Sequence, residues 1–283
     1  MTRVGLVDLA TSHPGIFAPI LAGLGMPVHA VLDRDAGRAE AFVAAHPAVV
    51  AGDLAELADA CDVVMLLGSD WDERMARLTA LAALDVPVFV DKPMAGTAGE
   101  LRRLAALADG PARIDGGSAL RVAPEAVAAR RPGRTAVDVT CGGHPFYYGV
   151  HAVALATAVL GPGLAGARGT VGERSIEGVV HHVSGAEVRV AVSAAGGAGG
   201  FSVAGPDLPR IEPAAAAFYP ALLRETMTRL TTPAMDRRPG RELVECELAL
   251  LAMAWSAEHG GDVVALDAVP PAFHPWRGGD LPR

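Results

Sequence analysis

The chain has 283 residues, 51% of them hydrophobic, 20% charged and 5% aromatic, with a formal net charge of −8. Two domains are the expected division, since a single unit averages roughly 150 residues. The acidic balance, without any basic run, argues against nucleic acid or an anionic membrane surface as partner, and no apolar run reaches the ~18 residues of a membrane span.

The first half alternates strand and helix patterns. Val4 to Leu9 reads as a buried strand, Ala10 to Pro14 as a turn and Gly15 to Leu24 as a helix. Val28 to Leu32 is a strand ending at Asp33, and Asp35 caps a helix running to about Ala45. Val49-Val50 is a short strand, and Asp53 caps Leu54 to Ala60. Asp62 to Leu67 is a strong buried strand, followed by a helix over Asp72 to Leu84. Val86 to Val90 is the next strand, Thr97 caps a helix to Ala108, and Ile114 to Leu120 is one more strand. This rhythm predicts βαβ units and a parallel sheet with right-handed crossovers.

From about Arg121 the rhythm changes. Ala123 to Arg130 and Gly149 to Leu160 are helices, with a strand over Thr135 to Thr140 between them. Strand patterns then follow at Ala165 to Val171, Gly178 to Val183, Ala186 to Ser193 and Phe201 to Ala204, with few helices between. They predict a mostly antiparallel open sheet, one face packed and one free for a second copy of the chain. Ala194 to Gly200 reads as a flexible hairpin or linker. Ala214 to Leu230 and Arg241 to His259 are amphipathic helices. The tail, from Pro270 to Arg283, is too rich in Pro and Gly for regular structure; it is expected to wrap a neighbouring subunit or to be loose.

The fold class is therefore α/β: a doubly wound parallel sheet over residues 1–119, then an α+β domain with a mostly antiparallel open sheet over 120–283. Cys61, Cys141 and Cys246 are odd in number and far apart, which fits free thiols in a reducing cytoplasm. The N-terminus runs directly into a strand, with no signal-peptide layout. No metal site is expected; His181 and His182 fall on opposite faces of a strand.

Three stretches carry chemistry. The first turn would hold a dinucleotide, and there Gly5 is in place, while Asp8 occupies the position of a second glycine and sets a carboxylate where a pyrophosphate would lie. Thr11, Ser12 and His13 open the following helix, where hydroxyls and backbone N–H groups favour an anion. Asp33 ends the second strand, where an acid holds the ribose of NAD. Ser69, Asp70 and Trp71 follow the strongest strand on the same sheet edge. Next, Val90-Asp91-Lys92-Pro93 ends a buried strand at the edge where open α/β sheets bind ligands. A lysine there is costly to desolvate without a partner or a chemical role; Asp91 beside it is a further candidate for the cofactor side. Finally, Cys141 to His151 contains His144, Tyr147, Tyr148 and His151. His151, in the first turns of a helix, is favoured as neutral imidazole, which suits a general base.

These residues resemble the Gfo/Idh/MocA group of NAD(P)-dependent oxidoreductases. Asp91-Lys92-Pro93 is similar to that group's Glu-Lys-Pro motif, Gly149-Val150-His151 to its catalytic histidine segment, and Gly117 to Pro124 to the strand and turn joining its two domains. The resemblance implies NAD or NADP as cofactor, a small polar substrate such as a sugar or cyclitol, Lys92 polarising the substrate and His151 moving its proton. It also implies a Rossmann-type nucleotide-binding domain over 1–119 and a substrate domain on an open antiparallel sheet over 120–283, although that sheet is expected to be trimmed here; the free face of the sheet points to a homodimer or higher oligomer. Asp8 departs from the pattern, as do Tyr147 and Ala154, which stand where many members carry aspartates. Asp8 motivates a second reading, a non-redox isomerase, lyase or cyclase that has lost the dinucleotide; a third is a non-catalytic ligand-binding protein that keeps the cleft.

Overall fold

The computed structural model describes residues 1–280; the last three residues of the predicted tail lie outside it. Six short strands form the first sheet: β1 (Val4–Val7), β2 (Val28–Leu32), β3 (Val49–Val50), β4 (Val63–Leu66), β5 (Val88–Val90) and β6 (Ile114–Gly116). All pair in parallel, in the order β3-β2-β1-β4-β5-β6. Between them run α1 (His13–Gly23), α2 (Ala36–Ala45), α3 (Leu54–Ala60), α4 (Arg74–Ala83) and α5 (Ala98–Asp109). The central strands β1, β4 and β5 are buried throughout because helices cover both faces. The strand order reverses between β1 and β4, which opens a crevice at the carboxyl ends of those strands.

The expected helix starts are met by their caps. Asp35 and Asp53 accept the backbone N–H groups of Arg38 and Glu56. Thr97 and Glu100 form a reciprocal capping box. α1 begins at His13 rather than Gly15, with Pro14 in its first turn, where a missing N–H costs nothing. β6 stops at Gly116 rather than continuing to Leu120. Gly116 and Gly117 both take positive φ, and a Cβ on Gly116 would meet the Val90 carbonyl oxygen at 2.1 Å. Ser118 then accepts the N–H of Leu120 and starts a turn of 3₁₀ helix over Ala119–Val122.

After α6 (Pro124–Ala128), the second sheet assembles from β7 (Ala136–Gly142), β8 (Leu164–Gly172), β9 (Ser175–His182), β10 (Glu187–Ser193), β11 (Gly199–Gly205), β12 (Leu208–Ile211) and β13 (Val264–Ala265). It has seven strands rather than a trimmed set, in the order β12-β11-β7-β10-β9-β8-β13. Pairing is antiparallel except between β7 and β10. The stretch from Ala194 to Gly200 is not a hairpin. β10 already has β9 on one edge and β7 on the other, so the chain steps across the end of β7 and adds β11 to its far edge. Gly197, Gly199 and Gly200 take the positive φ values that this step needs. Pro209 hides β12 from a sequence reading, and a two-residue length hides β13.

α7 (Gly149–Leu160) and α9 (Gly240–Glu258) pack on one face of this sheet and are buried over most of their length. α9 also packs against α5, and α8 (Ala215–Thr231) packs against α1, β5 and β6. Helices late in the chain thus cover the far edge of the first sheet. No helix among the described residues is long and apolar enough to cross a membrane.

Candidate active site

A cleft of about 720 Å³ opens at the switch point, lined on one side by Asp8, Thr11, Ser12, Asp33, Ser69 and Asp70 and on the other by His144, Tyr147 and Tyr148. The predicted residues divide into a rim and a buried floor.

At the rim, Asp8 takes φ +64°, the left-handed conformation a glycine would adopt, which aspartate tolerates better than most residues. Its carboxylate is not free: Arg77 of α4 forms an ion pair with it. Gly68 is required beside it, since a Cβ there would approach the Asp8 carboxylate to 2.8 Å. Asp33 accepts the N–H groups of Leu9 at 2.6 Å and Asp35 at 2.8 Å, and Arg38 Nε at 3.1 Å. Its side chain is only 3% exposed. Thr11 Oγ1 donates to the Leu67 carbonyl and accepts from the His13 N–H. Gly5 lies inside β1, away from the cleft, where Leu57 and Cys61 fill the space its side chain would need.

Trp71 is fully buried and lines no part of the cleft. It packs on Phe146 and Tyr147, and its Nε1 donates to the Trp276 carbonyl. The described part of the tail, up to residue 280, therefore packs on its own chain. Trp276 stacks on Phe146 and lines the cleft, His274 pairs with Asp72, and the Gly278 N–H also reaches Asp72. Aromatic burial and the Asp72 carboxylate hold it to its own chain.

The buried floor, built on β5 and α7, lies behind the cleft lining: Lys92, Asp91, His13 and His151 line no part of the cleft, and Lys92 meets it through Tyr147, which does. Lys92 is 3% exposed, and its Nζ lies 3.2 Å from the centre of the Tyr147 ring. Burial brings its pKa down to about 7, with Arg74 adding to the effect against the opposing pull of Asp91 and Glu247. Asp91 does not bond Lys92. It turns the other way, and its Oδ2 lies 2.5 Å from His13 Nδ1. Burial alone would raise the Asp91 pKa; the contact with His13, with Lys92 and Arg74 near, holds it below the usual carboxylate range. His13 and Asp91, expected on the cofactor side, thus pair with each other beside Lys92.

His151 stands on the first turn of α7, with Nδ1 2.6 Å from Ser118 Oγ. Burial, then Lys92 and His13, hold its pKa well below the ordinary value, so the ring is neutral. Tyr147 is pushed upward by burial and by Asp91, and Tyr148 forms the start of α7. His144 uses Nδ1 to accept the N–H groups of Phe146 and Tyr147, which shapes the turn carrying both tyrosines.

Several site residues give no sequence signal. Buried Arg74 donates to the carbonyl oxygens of Gly68, Asp91 and Pro93 and so ties the ends of β4 and β5 together. Glu247 of α9 accepts the Met94 N–H, and its pKa is raised to about 6 by burial. Tyr219, Ser118 and Arg77 are likewise missed by sequence reasoning; each acts on a partner far away in the chain, except that Ser118, placed after two glycines, hints at a turn. No cluster with metal-ligand geometry occurs among the described residues.

Fold and site together define a two-domain α/β protein with a nucleotide-type crevice facing a second, mixed-sheet domain. Residues 16–114 match the model of an oxidoreductase family with an NAD-binding Rossmann fold, GFO_IDH_MocA. The match, over about a third of the chain, agrees with the resemblance carried by Asp91-Lys92-Pro93. Among solved structures, GenD2 from gentamicin A biosynthesis, in complex with NAD, has a TM-score of 0.79 at 17% identity, over 93% of this chain and 96% of its own. A putative myo-inositol dehydrogenase from Sinorhizobium meliloti 1021 has a TM-score of 0.76 at 16% identity, over 94% and 100%. An oxidoreductase from Agrobacterium radiobacter, in complex with NAD+, L-tartaric acid and magnesium, has a TM-score of 0.75 at 16% identity, over 95% and 99%. At these identities the likeness is one of fold. No curated protein sequence matches the chain.

Proposed function

We propose that the protein is an NAD(P)-dependent oxidoreductase acting on a hydroxyl, carbonyl or amino carbon of a small polar molecule of the sugar or cyclitol class. The observation that carries this reading is Lys92: a buried lysine brought down to about pKa 7 at the end of β5, facing the His151 segment of the second domain. A strongly perturbed buried group directly behind a cleft-lining ring, as Lys92 is behind Tyr147, marks a candidate functional site. The family match of the first domain and the NAD in similar folds support it.

Charge pairing at the rim admits a dinucleotide. Arg77 cancels the Asp8 charge that would repel a pyrophosphate, and Arg34 and Arg38 line the cleft beside Asp33. Asp33, Thr11, Ser12, Ser69 and Asp70 would hold the cofactor. A bound nicotinamide would supply the hydride acceptor or donor. The chain's own residues do the rest. Lys92 bonds the reacting oxygen or nitrogen, and with a pKa near neutrality it gives or takes a proton at little cost. His151 bonds the same group from the second domain. Tyr147 and Trp276 close the floor against water.

A titration with NADH and NADPH, followed by cofactor fluorescence, tests this: saturable binding is expected, and no binding of either at millimolar concentration would sink it. One observation favours a second, non-redox reading, as isomerase, lyase or cyclase. The first turn of α1 offers a poor phosphate cradle, because Thr11 takes the His13 N–H and Pro14 has none. Asp8→Gly tests that reading, which gains if binding appears only in the variant. We also place the protein in the cytoplasm and propose a homodimer through the open face of the second sheet. Light scattering that finds only monomer at high concentration would refute the dimer.

A further inference from the structure

From Leu266 onwards the chain crosses back to the first domain and is held there along its path. Arg102 of α5 donates to the carbonyl oxygens of Leu266, Asp267 and Val269. The Gly99 N–H, in the first turn of α5, donates to the Pro271 carbonyl at 2.9 Å. Phe273 packs edge-on against Trp255, 5.0 Å between ring centres. Asp72 then grips two points: its Oδ1 lies 2.8 Å from His274 Nε2, and its Oδ2 accepts the Gly278 N–H at 3.1 Å. Three glycines make room for this path. A Cβ on Gly96 would come within 2.6 Å of His274 Nε2, one on Gly99 within 2.9 Å of the Pro271 carbonyl oxygen, and one on Gly278 within 2.7 Å of Asp70 Oδ1. A segment tied down in this way is part of the fold rather than a frayed end.

Trp276 stands between the two points that Asp72 grips. Its ring stacks on Phe146 of the second domain, 5.3 Å between centres, and meets His144 edge-on at 6.5 Å. Its carbonyl accepts Trp71 Nε1 of the first domain. Phe146 and Trp71 are fully buried, so the support under Trp276 is fixed. The indole itself is half-buried and lines the cleft. A large aromatic surface already held in place engages a ligand with little further loss of entropy.

The anchors of Trp276 indicate which ligand. Trp71 and Asp72 belong to the turn after β4, and Gly278 lies against Asp70 of the same turn. That turn sits at the carboxyl edge of the first sheet, beside the switch point where a dinucleotide lies in such sheets. We propose that Trp276 is a ligand-contacting residue whose indole packs against the bound dinucleotide, and that Asp72 is a positioning residue that holds it there. The proposal rests on the oxidoreductase reading, from which it takes the dinucleotide, and adds to that site a residue from the last turn of the described chain.

Fluorine NMR of protein carrying 5-fluorotryptophan tests it, with NADH as the probe. The three tryptophans give three signals, each assigned by its Trp→Phe variant. NADH is expected to shift the Trp276 signal and to leave that of Trp255, stacked on His259 outside the cleft, unmoved. Trp276→Ala weakens NADH binding about tenfold, and Trp276→Phe recovers most of the loss. Asp72→Ala moves the Trp276 signal with no ligand present and weakens NADH binding, and the double variant with Trp276→Ala binds no more weakly than Trp276→Ala alone. Unchanged affinity in Trp276→Ala, or a Trp276 signal that bound NADH does not shift, overturns the ligand contact. An unmoved Trp276 signal in ligand-free Asp72→Ala, or additive losses in the double variant, overturns the role of Asp72. If the unaltered protein binds no NADH, the oxidoreductase reading fails and the ligand contact fails with it, while the ligand-free spectra still decide whether Asp72 positions Trp276.

Discussion

The rim and the floor of the cleft use charge in opposite ways. At the rim, Asp8, Asp33, Arg34, Arg38, Arg77 and Glu73 form a network of paired charges, several of them open to solvent. Water and salt screen such pairs, and each contributes little. At the floor, Lys92, Asp91, His13 and His151 are each less than a tenth exposed. There the low dielectric magnifies every interaction, and protonation states depart from their ordinary values. The rim can be rewired at little cost, whereas the floor cannot, which is why the chemistry is assigned to the floor.

The largest effect is expected at Lys92. Its pKa falls from 10.5 unfolded to about 7 folded, so between those values the unfolded chain binds the extra proton. Stability then rises with pH over that range, and below about pH 7 the cost of burying the charge is present in full. Lys92→Met removes the cost and is expected to stabilise the protein at neutral pH by on the order of 4 kcal/mol, to flatten the rise, and to abolish turnover. Urea unfolding at pH 7 and pH 10 reads the difference; an unchanged slope would break the contrast between rim and floor.

Arg74→Met comes next. It strips donors from three carbonyl oxygens at the ends of β4 and β5. A loss of about 3 kcal/mol is expected, measured by the same unfolding curves. A smaller effect belongs to the rim: Arg77→Ala unpairs Asp8 and is expected to weaken NADH binding about tenfold, roughly 1.4 kcal/mol. Adding Asp8→Gly should restore most of it, because the repelling charge goes too. Non-additivity in that cycle measures the pair; strict additivity would mean that Arg77 acts on the ligand alone. Smallest of all, Arg34→Ala breaks an exposed pair with Glu73 and should leave the melting temperature unmoved.

The same contrast governs what is legible in the sequence. Local rules find the caps at Asp35, Asp53 and Thr97, because a cap depends on residues three positions away. Lys92 stands out because strand ends in α/β sheets carry ligands, and the His151 segment because polar and aromatic residues crowd the start of a helix. The pairing of His13 with Asp91 does not, nor does Tyr219, which lies 206 residues from His13, or Glu247, 153 from Met94. Nothing local distinguishes those residues from ordinary helix positions. The tail misleads for a related reason: its Pro and Gly content forbids regular structure, yet Trp276 finds a partner 205 residues away at Trp71. At Asp8 the sequence exposes the missing glycine but not Arg77, which neutralises it.

A crystal structure of the protein grown with NADH tests the account most directly. The dinucleotide is predicted to lie in the cleft, its adenosine end beside Asp33 and Arg38 and its nicotinamide towards Tyr147 and Lys92. A cleft without the dinucleotide at saturating NADH, or a dinucleotide bound elsewhere on the chain, would contradict it.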